Sequence, residues 1–290
     1  MLIDAIRAEG FRLARSRTTW FWSILFAPLI SLALSVLGMV FMKANEARLM
    51  ETANMPPEAM EVFAKAPIDM AQALAETAGK LDSVLLLPFV LIGVATLYAC
   101  DYRWETWRLI SARNTRPNLL LGKIAVAVAL ALVAITFMLF SGVIESFIQG
   151  AVFNRPLAFE ATGDLVGQFF ARFGLSWLRV VQFGILALLA AVVTRSLLAA
   201  LFIPMVIAVA QFFSPQMLGP IGMAPDAWFA ILVNPSAATD ALKMAASGGM
   251  EAAALPAGLL LKAWISMGLW TLLPALGAIA WFKRQDLSKE

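Results

Sequence analysis

The residues that could do chemistry in this chain are few. It has no histidine and a single cysteine, Cys100. That removes the commonest general base, the commonest metal ligand and any intrachain disulfide together. No G-x-x-x-x-G-K-[ST] run occurs, so no loop is recognisable as a cradle for ATP phosphates. The nearest approach, Gly122-Lys123, is followed by Ile124 and has Pro117 where the first glycine would stand. Met42, Met50, Met55, Met60 and Met70 offer soft thioethers of the kind that select Cu(I). Their uneven spacing, with neither His nor Cys nearby, reads as flexible packing, and no metal site is expected. What remains are ionisable and amide groups inside apolar runs, which are functional candidates by default. Glu145 and Arg179 lie near the outer ends of two such runs and form a candidate outer ion pair. Lys262 is placed to snorkel, and Gln182 and Gln211 lie deeper, suited to hydrogen bonds between helices.

These groups sit in a chain for which water is not the main solvent. Of 290 residues, 61% are apolar and 14% charged, with a mean hydropathy of +0.81; a soluble domain carries about 25% charged residues. Crossing a hydrocarbon layer takes roughly 20 apolar residues at the helical rise. Six runs qualify or nearly do: Trp20–Phe41, Val84–Cys100, Ile124–Ile144, Leu175–Val193, Leu197–Phe213 and Ala257–Phe282. Pro28, Pro88, Pro204 and Pro274 fall inside them, which neighbouring helices must compensate. The first run is too long for a signal-peptide core and is expected to be an anchor. The spacing therefore predicts an all-α membrane protein of six transmembrane helices, forming a single transmembrane domain over 1–290.

Sidedness follows from Lys and Arg. With the N-terminus inside, the cytoplasmic segments hold thirteen basic and six acidic residues, net +7. The other side holds nine basic and thirteen acidic, net −4. Both termini are expected to be cytoplasmic. Residues 1–18 put Leu2, Ile6 and Leu13 on one helical face and Arg12 and Arg15 away from it, predicting an amphipathic helix in the headgroup layer. Residues 42–83 form an outer loop with short helices broken at Pro56–Pro57 and Pro67, and 146–174 a second outer segment. Residues 214–256 carry Pro215, Pro220, Pro225 and Pro235 among apolar side chains. That stretch reads as short re-entrant or interfacial helices before the last span.

The connection between the second and third spans, 101–123, is the most distinctive stretch. Helix-compatible residues run to Arg113, where Asn114 and Pro117 end them. Trp104, Trp107 and Arg108 at i, i+3 and i+4 would form one face, suited either to docking a partner or to an aromatic belt at the headgroups.

At this loop the chain resembles the permease subunits of ABC-2-type transporters. The loose pattern of that family is matched by Glu105-Thr106, Leu109-Ile110, Arg113, Arg116 and Gly122-Lys123, without the glycine that usually precedes the threonine. Asn234-Pro235 before the last span and the ending Phe282-Lys283-Arg284-Gln285-Asp286 are similar to family features as well. The resemblance implies the transport subunit of an exporter in the inner membrane of a bacterium, with no ATPase site and no cofactor of its own. ATP and Mg would be held by a partner pair of P-loop ATPase subunits, and a second permease copy or homologue would complete the translocation path. Membrane lipid is the surrounding partner and nucleic acid is not expected. By the same resemblance Trp104, Glu105, Thr106, Trp107 and Arg108 make the ATPase-coupling contact. A secondary transporter, or a non-transporting membrane component, is the alternative.

Overall fold

The structure, a computed structural model, describes residues 1–45, 48, 66–84, 86–104, 106–111, 114–218, 220 and 222–285. Most of the expected outer loop, including Met50, Met55, Met60 and Pro56–Pro57, lies outside the described residues, as do Glu105, Arg113 and Asp286. Twelve helices are described: α1 (Leu2–Arg15), α2 (Arg17–Ala44), α3 (Met70–Lys80), α4 (Leu87–Arg103), α5 (Trp107–Ser111), α6 (Arg116–Phe153), α7 (Gly163–Thr194), α8 (Leu197–Leu218), α9 (Trp228–Val233), α10 (Pro235–Ser247), α11 (Gly249–Ala253) and α12 (Leu259–Arg284). Two dipeptides, β1 (Ile68–Asp69) and β2 (Leu157–Ala158), pair in parallel. The fold is helical throughout.

Five helices (α2, α6, α7, α8 and α12) are long and apolar enough to cross a membrane, and α4 is a shorter apolar helix. Their exposed faces are hydrocarbon: Leu29, Leu34, Leu37 and Phe41 on α2, Phe202, Val206 and Phe212 on α8, and Leu261, Leu272 and Leu276 on α12. So broad an apolar surface is what a multi-pass membrane protein presents to lipid.

Local chemistry explains the breaks. α1 has Asp4 in its first turn and Arg12 and Arg15 in its last, each charge complementing the helix dipole. Ser16 interrupts the chain and caps α2 by accepting from the Thr19 N–H. Within α2, residues Phe21–Leu25 widen into a π-helical turn just before Pro28, whose missing N–H leaves the Ile24 carbonyl without its α-helical partner. Pro88, expected inside a span, instead sits in the first turn of α4, where a missing N–H costs nothing.

Residues 146–174 are mostly helix, because α6 runs on to Phe153 and α7 begins at Gly163. With 38 residues α6 is about 57 Å long, far more than a bilayer needs. The turn between them is made by Asn154 in the left-handed region at φ 53°, a conformation asparagine tolerates. α3 lays Ala71, Ala75 and Ala78 against the overhanging parts of α6 and α7. On the same side, the proline-rich stretch folds into α9, α10 and α11. α10 packs Ala238 and Leu242 on Leu259, Ala263 and Met267 of α12.

The main core gathers Ile24, Leu87, Leu91, Val94, Leu120, Leu130, Leu188 and Phe282 from α2, α4, α6, α7 and α12. Gly93 sets its spacing: a Cβ there would lie 2.5 Å from Ser23 Oγ and 2.8 Å from Leu130 Cδ2. Gly93→Val is expected to lower stability by about 1–3 kcal/mol through overpacking. Gly38→Val, at a position with no atom within 4 Å, should be near neutral. Thermal unfolding of the two purified variants in detergent checks the contrast.

Candidate functional site

The site begins with one lysine. Gly122 lets α1 approach α6 closely, since a Cβ there would come within 2.9 Å of the Ala5 Cβ. The next residue, Lys123, is then wholly buried, at 0% exposure. A cation cannot stay charged in such surroundings without partners, and α1 and α4 supply them. Lys123 Nζ lies 2.5 Å from Asp101 Oδ2 and 2.8 Å from Glu9 Oε1, and donates to the Leu97 carbonyl at 2.8 Å. Arg12 completes the square, donating to Asp101 Oδ1 at 2.7 Å and to Glu9 Oε2 at 2.5 Å. Two cations and two carboxylates thus close a neutral cluster between α1, α4 and α6. Partial burial works against the Arg12 charge, but its hydrogen bond to Asp101 and the nearby Glu9 outweigh that and raise its pKa.

The loop of interest is fastened directly onto this cluster. Thr106 Oγ1 donates to Asp101 Oδ1 at 2.7 Å. Trp107, 1% exposed, lies with its ring 5.3 Å from Lys123 Nζ and 4.5 Å from the Phe282 ring. Arg116, at the start of α6, donates to the carbonyls of Phe282, Lys283 and Gln285 at the end of α12, where cationic groups meet unpaired carbonyls favourably. Gln285 in turn accepts from Tyr102 Oη and donates to the Val192 carbonyl of α7. Thr106, Trp107 and Arg116 therefore fasten the described part of this loop to α4, α6 and α12, with α1 reached through the ionic cluster.

This geometry separates residues expected to share a face. Trp104 is 71% exposed while Trp107 is buried. α4 ends at Arg103, the chain turns, and helix restarts at Trp107, so the i, i+3 relation is not carried across. Thr106 points inward, Glu105 lies outside the described residues, and Arg108 is placed only by its backbone in α5. Lys123, Asp101, Glu9 and Arg12 were not singled out as a cluster from the sequence. The available signal was a glycine directly before a lysine where an apolar helix begins.

The expected pair of Glu145 and Arg179 does not meet. Glu145 accepts from Ser35 on α2. Arg179, 3% exposed, donates to Gln182 Oε1 at 3.0 Å and to Gln211 on α8, with its guanidinium 4.4 Å from the Phe183 ring. The two charged residues lie on faces of α6 and α7 turned to different neighbours. Gln182 ties α7 to α12 through the Met267 carbonyl and Thr271 Oγ1. Asn234 caps α10 and donates to the Gln211 carbonyl, linking the outer helices to α8. Lys262 reaches the Asp226 carbonyl with Trp228 beside it. Among the described residues no group of three His, Cys, Asp or Glu could hold a metal ion.

Comparison of the chain with protein-family models, with curated proteins and with solved structures finds no match.

The burial contrast within the cluster gives a graded expectation. Lys123→Met leaves Arg12 alone to balance two buried carboxylates and should cost about 3–5 kcal/mol. Arg12→Gln, at a side chain 43% exposed, should cost about 1 kcal/mol or less, in the range of solvent-screened pairs. Denaturation midpoints of the two variants in the same detergent test the order.

Proposed function

We propose that this chain is the transmembrane subunit of an ATP-driven ABC-2-type transporter, working as an exporter. The observation that carries this reading is the seating of Thr106, Trp107 and Arg116. A push on that loop would be felt by α4, α6 and α12 directly and by α1 through the buried ionic cluster. A subunit that takes its energy from a separate ATPase needs such a point of entry. The sequence resemblance at Glu105-Thr106, Arg113, Arg116 and Gly122-Lys123 falls on the same stretch.

In this reading α4 is the sixth crossing. Its 17 residues reach about 25 Å, enough for a slightly thinned or locally shielded bilayer. Both termini and the 104–116 loop then face the cytoplasm of a bacterium at its inner membrane, in accord with the Lys and Arg asymmetry. α3 and α9–α11 lie on the outer side. A second permease copy or homologue completes the path, while ATP and Mg belong to the partner ATPase pair. ATP-driven closure of that pair shifts the membrane helices only so far as it binds their two arrangements unequally.

Exposed Trp104 is the anchor that the partner would grip, with Glu105 beside it. Replacing both by alanine should weaken ATPase capture about 30-fold, the effect of losing a hot spot worth ~2 kcal/mol. Copurification of a P-loop ATPase with wild-type and doubly substituted protein from the native membrane measures it. Equal capture by both would contradict the coupling assignment. Failure of any such ATPase to copurify with wild type would favour a secondary transporter or a non-transporting membrane component.

A further inference from the structure

α1 has a second working face. Its Ala5, Glu9 and Arg12 side is occupied by α6 and the ionic cluster, whereas Ile6, Gly10 and Leu13 face an open groove. Trp20 and Ile24 of α2 and Ala125, Val126, Ala129, Leu130 and Val133 of α6 line the rest, enclosing about 280 Å³. The walls offer almost no polar surface, so water has too few partners to settle there.

Gly10 is the informative residue. It lies in the interior of α1, where glycine costs about 1 kcal/mol relative to alanine. No protein atom within 4 Å requires its missing side chain. Its φ is not in the left-handed region either. The space it leaves is part of the groove. Ala125 and Ala129, one turn apart on α6, keep the opposite wall equally shallow. Lys123 marks the end of α6 beside α1, so these alanines stand about 3–9 Å deeper along the helix. The groove therefore enters the hydrocarbon just beneath an amphipathic helix, at the depth of upper acyl chains.

Basic groups outnumber acids beside it: residues 1–18 hold Arg7, Arg12, Arg15 and Arg17 against Asp4 and Glu9. Arg7 precedes Gly10 by three residues and Arg17 precedes Trp20 by three, so each shares a helix face with a groove residue. Both are exposed. Of the two acids, Glu9 is held by Lys123 and Arg12, and Asp4 by the N-terminal ammonium with Arg7 nearby. We propose that this groove holds one anionic phospholipid of the leaflet nearest the N-terminus, an acyl chain along Gly10 and Ala129 and the phosphate against Arg7 and Arg17. The bound lipid acts as a wedge that completes the packing of α1 on α2 and α6. The proposal rests on the helices lying in a bilayer, and not on coupling to an ATPase.

The test uses the full chain, purified in mild detergent, stripped of lipid and titrated with phosphatidylglycerol or phosphatidylcholine, with bound lipid counted by native mass spectrometry. Wild type should retain one phosphatidylglycerol at least tenfold more tightly than phosphatidylcholine. Gly10→Leu and Ala129→Leu, which fill the groove from opposite walls, should each abolish that retention while the lipid-free melting temperature stays level or rises. Joint Arg7→Gln and Arg17→Gln should remove the headgroup preference and leave weak binding of both lipids. Unaltered phosphatidylglycerol retention in both filled variants, or equal retention of the two lipids by wild type, overturns the proposal. ATPase capture measured on the same samples is expected to be independent, so a failure here is distinguishable from a failure of the transporter reading.

Discussion

A lysine ammonium with no access to water governs the architecture at one end of this protein. Desolvating an ion costs several kcal/mol even after relaxation, and the loss is recovered only when opposite charges and hydrogen bonds surround it closely. Lys123 obtains two carboxylates and a carbonyl, each from a different turn of α1 or α4. None of these groups can drift without stranding a charge. The requirement fixes where α1 lies, where α4 ends and how α6 begins, and hydrophobic contacts fill in around it. Gly122 belongs to the same constraint, because the close approach of Ala5 is what lets Glu9 reach the ammonium.

A greasy interface alone would not hold such a position. Between membrane helices the lipid is as apolar as the side chains, so apolar packing gives weak preference for one arrangement over another. Polar contacts supply direction. The chain uses them at two levels. The ionic cluster binds the loop end, and an amide and guanidinium chain (Arg179, Gln182, Gln211 and Asn234) joins α7, α8, α10 and α12 toward the other end. α7 belongs to the second through Arg179 near its middle, and its Val192 carbonyl accepts from Gln285 after α12.

How much of this was legible in the sequence depends on the kind of signal. Helix identity in the apolar runs was readable, because length and hydropathy decide it independently of neighbours. Helix ends were less so: the apolar run ending at Ile144 continues as helix to Phe153, with Thr77 of α3 close against Gly142. The split between Trp104 and Trp107 was invisible, since helix-compatible residues continue across a turn that the Thr106 bond to Asp101 imposes. Pairing Glu145 with Arg179 failed for a related reason. Opposite charge predicts attraction but not which faces of two helices meet, and Arg179 donates instead to the amide oxygens of Gln182 and Gln211. Asn234-Pro235 could be read from sequence as a helix start, and it is one, but its grip on the Gln211 carbonyl needed the tertiary fold.

The claim that the Lys123 cluster holds α1, the loop and the membrane helices as one unit is tested most directly by a double-mutant cycle on Lys123 and Asp101, read as unfolding free energy in detergent. Asp101→Leu and Lys123→Leu should each destabilise strongly, and their combination should recover most of the loss, since removing both charges leaves less to strand. Simple additivity of the two effects would mean that the side chains act independently, and the cluster would not be the joint described here.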